Sequence, residues 1–109
     1  MNQVLLVGRL TQDPEVKELK DGTCRTSLCL AVSRDYKNLE GTVDADFIYC
    51  VVWNGIASAA KEYCHKGDLI GISGKLQTRS YEAEEKTHYL MEVIAEKVTY
   101  LSHKKVAND

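Results

Sequence analysis

The sequence predicts a mainly β fold, a five-stranded barrel with one short helix inserted between its third and fourth strands. Three observations lead there. Several segments alternate apolar and polar residues, the period of a strand with one face on a core. Turn signals such as Asp21-Gly22 separate those segments. Only residues 54–66 place apolar side chains at helical spacing. At 109 residues the chain has room for a single core and little more.

The first strand is residues 4–10, an apolar, β-branched run closed by Gln12-Asp13-Pro14. Residues 16–20 read as a bent second half of that strand, ending at the Asp21-Gly22 hairpin signal. Residues 23–34 form a cleaner strand, with Leu28, Leu30 and Val32 on one face and Arg25, Ser27 and Ser33 on the other. The polar segment 35–44, with Asn38 and Gly41, reads as a flexible loop.

The third strand, residues 46–53, is apolar on both faces. Ile48, Cys50 and Val52 are compact, whereas Phe47, Tyr49, Val51 and Trp53 make an aromatic face that the core does not need. The helix follows, with Ile56, Ala59, Ala60, Tyr63 and Cys64 near one stripe, Asn54 as N-cap and Gly67 as C-terminal cap. Residues 68–81 are the fourth strand, with Ile70, Ile72, Gly74 and Leu76 inward and Lys75, Gln77, Arg79 and Tyr81 outward. An acidic connection over 82–86 leads to a last strand region, 87–101. Five strands with a helix after the third is the order of an OB-fold barrel. Residues 1–101 make that one domain, and 102–109 a short polar tail that frays.

Composition excludes several function classes. Apolar residues at 44% and charged residues at 28% belong to a globular domain, not a disordered one. No apolar run approaches the roughly 20 residues of a membrane span. The opening Met1-Asn2-Gln3-Val4 has no basic region leading into an apolar stretch, so the expectation is no signal peptide and a cytoplasmic protein. In that compartment Cys24, Cys29, Cys50 and Cys64 are thiols. Cys24 and Cys29 lie an odd distance apart on one strand, on opposite faces, and the paired cysteines of a zinc site are missing. The thiols therefore read as small core hydrophobes, with no metal and no cofactor. His65, His88 and His103 are scattered, and the chain has neither a phosphate loop nor a nucleophile motif. An enzyme is not expected.

The informative residues are aromatic and basic together. Tyr36, Phe47, Trp53 and Tyr81 include the single tryptophan and the single phenylalanine. Tyr36 sits between Arg34 and Lys37, and Tyr81 shares a face with Lys75 and Arg79. Exposed rings stack on nucleic-acid bases whatever their identity, and neighbouring cations neutralise phosphates. Duplex DNA hides its base faces, so this pattern favours a single strand. The net charge of −2, from 14 basic and 16 acidic residues, requires the cations to be segregated on one surface. Two alternatives stay open here. One is core packing for any single ring; the other is a protein-interaction face, for which Tyr49 and Val51 are equally suited.

The chain resembles the bacterial-type single-stranded DNA-binding protein family. The likeness is carried by Val4 to Glu15 with its Asp13-Pro14-Glu15 turn, by Leu28 to Ser33, and by Asp46-Phe47 through Trp53. Tyr63 to Gly67 and Gly74 to Tyr81 continue it in the same order, so it covers nearly all of residues 2–101. The resemblance implies an OB-fold assembled as a homotetramer that binds and protects single-stranded DNA without sequence preference, in replication, recombination and repair. It assigns base stacking to Tyr36, Phe47, Trp53 and Tyr81. It makes Arg9, Arg34, Lys37, Lys66, Lys75 and Arg79 candidates for phosphate contact, with Lys66 equally readable as a charge at a helix end. Three departures stand out, the first being the acidic loop from Glu82 to Glu85. Gly55 replaces a basic residue common among relatives, and the sequence stops at Val106-Ala107-Asn108-Asp109 without the family's long linker and acidic tip. The missing tip puts recruitment of replication and repair proteins in question.

Overall fold

A computed structural model describes residues 1–101, and the expectation of a fraying tail over 102–109 lies outside the described residues. In chain order the elements are β1 (Val4–Leu10), β2 (Lys17–Glu18), β3 (Cys24–Lys37), β4 (Val43–Trp53), α1 (Asn54–Tyr63), β5 (Leu69–Ala83) and β6 (Lys86–Tyr100). The sheet runs β1-β5-β6-β4-β3, and a short β1–β3 pairing, Arg9 with Ala31 and Leu10 with Leu30, closes it into a five-stranded barrel. The β4–β6 contact is parallel and all other pairings are antiparallel. This is the OB-type barrel the sequence predicts, with its helix after the third barrel strand.

Alternation selects the core. Leu28 and Leu30 on β3, Cys50 and Val52 on β4, Ile70 and Ile72 on β5, and Val93 and Ala95 on β6 are all buried. Full burial of a side chain such as Leu30 contributes about 1.5–3 kcal/mol. The helix plugs the barrel with Ala57, Ala60 and the following Cys64. Burial pushes the Cys50 thiol up to about 12 and the Cys64 thiol up to about 11, so both stay protonated and inert near neutral pH. Cys29 is buried as well, whereas Cys24 is only half-buried.

Two glycines make closure possible. A Cβ on Gly8 would lie 2.7 Å from the Ala31 carbonyl oxygen where β1 crosses β3. One on Gly74 would collide with the Ile94 carbonyl oxygen, beside the register shift that follows Ser73 on β5. No other residue tolerates backbone that close.

Several local expectations need correction. Lys17–Glu18 does not continue β1 but forms a separate edge strand against Arg25 and Cys24 of β3, because the Asp21-Gly22 turn folds it back. The predicted flexible loop shrinks to residues 38–42. The Asn38 side chain orders it, accepting from the Glu40 and Thr42 amides at 2.9 and 3.1 Å and donating to Asp44 at 3.1 Å. The helix ends at Tyr63, not at 66. Asn54 does not cap it: Trp53 holds that position, and the Asn54 Oδ1 accepts instead from the Cys24 amide at 3.2 Å. Gly67, with φ +92°, serves a turn closed by the Asp68 amide on the His65 carbonyl, not the helix end. Ala57 replaces Tyr63 on the buried helix face, and Tyr63 tilts outward against Tyr100 at 5.8 Å. Leu76, expected inside, is 44% exposed because β5 and β6 run on past the barrel as a projecting hairpin.

Candidate nucleic-acid interface

Register places the outward side chains in rows. On β3 and β4, Arg25 faces Trp53, Ser27 faces Val51, Cys29 faces Tyr49 and Ala31 faces Phe47. On β5 and β6, Lys75 faces Ile94, Gln77 faces Glu92, Arg79 faces Leu90 and Tyr81 faces His88. Directly opposed residues share a face, and the Val51–Ile94 pairing of β4 with β6 joins both groups into one outer surface. The sequence-predicted rings lie on it in the open: Phe47 is 65% exposed, Trp53 38% and Tyr81 47%. Val51, at 3%, is the buried floor between Phe47 and Trp53. The Cys24–Asn54 bond fixes the backbone at the Trp53 end of that row.

Two clefts cut this surface. One of about 380 Å³ is lined by Phe47, Tyr49, Met91 and Leu90; the other, of about 250 Å³, by Trp53, Leu19, Gln77 and Ile94. Arg25, Arg79 and Glu92 line both and form the ridge between them. The Arg79 Nε lies 3.2 Å from the Glu92 Oε1, and Glu92 is almost wholly buried. That contact aims the guanidinium along the ridge and meets the cost of holding a carboxylate under an apolar floor.

Not all the predicted residues gather there. Tyr81 lies farther out on the hairpin, one face of its ring already stacked on His88 at 5.2 Å. Lys75 is exposed on the same face. Arg34, Tyr36 and Lys37 occupy the far end of β3, where Arg34 binds the Asp46 carboxylate through Nε and an Nη at 2.8–3.3 Å. Hydrogen bonds from Arg34 hold the Asp46 carboxyl below its ordinary value, so the pair is ionised at neutral pH. Arg9 and Lys66 line neither cleft. Arg9 donates to the Gly67 carbonyl at 2.9 Å, and the Lys66 amide donates to Asp13 at 2.7 Å, tying both into the turn after the helix. Lys66 is three residues past the helix end.

Sequence reading missed Arg25, Glu92 and His88. Alternation puts Arg25 on an outward face and says no more; its guanidinium lies 5.8 Å from the centre of the Trp53 ring. Each contact depends on cross-strand register, which no single segment reveals. Among the described residues no group of three or more His, Cys, Asp or Glu side chains is arranged to hold a metal ion. No described helix is long and apolar enough to cross a membrane.

A small OB barrel whose outer face presents separated rings around an arginine ridge has the form of a binding module. A family model described as the single-strand binding protein family matches residues 1–101, and the chain belongs to that family. The family is one of binding proteins, and the chain is not an enzyme. It is 44% identical over 104 residues to "Single-stranded DNA-binding protein B" of Bacillus subtilis, covering 94% of this chain and 92% of the relative. It is 46% identical over 110 residues to "Single-stranded DNA-binding protein 2" of Clostridium acetobutylicum, with 99% and 82% covered. The "Single-stranded DNA-binding protein" of Bacillus cereus is 45% identical over 102 residues, 93% of this chain but 60% of the relative's length.

Proposed function

We propose that this protein binds and protects single-stranded DNA without regard to sequence. Bases stack on Phe47 and Trp53 in the two clefts and on Tyr81 and Tyr36 farther out. Arg79 and Lys75, with Arg34 and Lys37 on β3, meet the phosphates, while Arg9 and Lys66 serve a strand that wraps to the helix end. The observation carrying this reading is the exposure of Phe47 and Trp53 on one face, divided by the Arg79 ridge. Exposed rings spaced along a strand accept unstacked bases and offer nothing to a closed duplex.

Assembly into a homotetramer belongs to the same reading. Leu5 and Val7 point outward from β1 and are 71% and 55% exposed, beside Gly71, Thr99 and Leu101. Among the described residues, Val4–Gly8 pair with β5 on one side only, leaving a strand edge open to another copy. The protein would act in the bacterial cytoplasm or nucleoid, during replication, recombination and repair. A competition experiment tests the binding claim. Unlabelled oligo-dT is expected to displace a labelled single strand from the protein, and duplex of equal length is expected to displace little. Equal displacement by duplex contradicts the stacking reading.

A further inference from the structure

Outside the two clefts, one row of side chains crosses three strands. Lys17 on β2 is directly opposite Arg25 on β3, and Arg25 is directly opposite Trp53 on β4. All three therefore project on one face. The Arg25 guanidinium lies over the Trp53 ring, 5.8 Å from its centre. Arg25 also lines a third hollow with Lys17, Gln12 and Glu15, so it borders all three of these hollows.

The charges in this row are not spoken for. Arg34 and Arg79 each hold a carboxylate, whereas among the described residues neither Lys17 nor Arg25 takes part in an ion pair. Glu15 shares their hollow without reaching either. Like charges directly opposed across a strand pair repel, and an anion between them turns that repulsion into attraction. A flat ring at the other end of the row supplies a stacking partner. A base platform beside a two-cation anion site is the chemistry of a nucleotide.

We propose that the row Lys17–Arg25–Trp53 is a nucleotide subsite, in which Trp53 stacks a base and Lys17 and Arg25 hold an adjoining phosphate. It extends the DNA path past the Trp53 cleft and over the β2 edge. In that arrangement Arg25, 5.8 Å from the ring centre, is a positioning residue for the indole and a phosphate ligand at once. The inference rests on the single-strand reading above, and the experiment separates the two.

The experiment is oligo-dT binding over a range of salt for the wild type and the variants Lys17→Ala, Arg25→Ala, Arg25→Lys and Lys61→Ala. Each phosphate contact on a single strand contributes about 0.7 to the slope of log affinity against log salt. Lys17→Ala and Arg25→Ala are each expected to lower the slope by about 0.7, and the pair together by about 1.4. Arg25→Lys keeps the charge and the slope. Lys61, exposed on the helix, is expected to leave it unchanged when removed. Unchanged slopes in both alanine variants of a DNA-binding wild type overturn the subsite and leave the single-strand reading intact. So does tighter binding by Arg25→Ala, which would mean that the guanidinium blocks the ring. A slope lost equally in Lys61→Ala removes any special place for the row. A wild type that binds no oligonucleotide at low salt overturns both. Lys17 lies on an exposed two-residue edge strand, so its variant reports even where Arg25→Ala disturbs folding.

Discussion

Trp53 has two jobs available to it, core packing and base stacking, and its surroundings support the second. Its backbone is pinned by the Cys24–Asn54 bond, and its ring stands 38% exposed beside Arg25. The barrel is filled without it by Leu28, Leu30, Val52 and Ile70. Trp53→Ala is therefore expected to weaken single-strand binding by about 1–3 kcal/mol, the value of one stacked base. The thermal midpoint of the variant should stay near that of the wild type. Calorimetric titration with a thermal melt checks both halves, and a variant that unfolds while retaining affinity contradicts the assignment. This face was legible from alternation, since Phe47 and Trp53 fall opposite Ile48, Cys50 and Val52. The partners of the arginines were not legible. Arg79 meets Glu92 only because a register shift beside Gly74 sets which residues of β6 oppose β5. Arg25 meets Trp53 only through the pairing of β3 with β4. A sequence written as separate strands contains neither fact.

Among the elements, the β5–β6 hairpin carries the clearest tension. Ala83 pairs with Lys86, so Glu84 and Glu85 form a two-residue turn, and both take positive φ, 54° and 62°. That conformation suits Asn-Gly and costs other residues about 1–2 kcal/mol each. The two neighbouring carboxylates add repulsion. The double variant E84N/E85G is expected to stabilise the protein by about 1 kcal/mol, read as a shift in urea midpoint at constant slope. No gain would mean that the turn has another geometry. The sequence marked this segment as acidic and connecting, but two glutamates give no turn signal, so the strands were ended early. The same error arose at residues 35–44, where polar composition read as loop although residues 35–37 and 43–44 are hairpin strand. Both misreadings have one cause. These hairpins extend beyond the barrel, are wet on both faces and lose the alternation that identifies a strand.

At the scale of the whole molecule, a net charge of −2 and a DNA ligand are reconciled by placement. Arg34 and Arg79 are already held by Asp46 and Glu92, which consumes part of the cationic surface and orients what remains. On the proposed reading, stacking is expected to carry a larger share of binding than in a strongly basic protein, and added salt is expected to weaken binding without abolishing it. The barrel order could be read from the chain because each buried strand keeps its period. Closure through Gly8 and the docking of β2 depend on contacts between distant segments and had to be seen. The central claim is that the rings of the outer face meet the bases of a single strand. Trp53 is the one tryptophan in the chain, so its emission during an oligo-dT titration reports on that contact alone. At low salt the emission should be quenched to saturation and recover as salt is raised. Emission that stays unchanged while the oligonucleotide is demonstrably bound would place the DNA elsewhere and contradict the account.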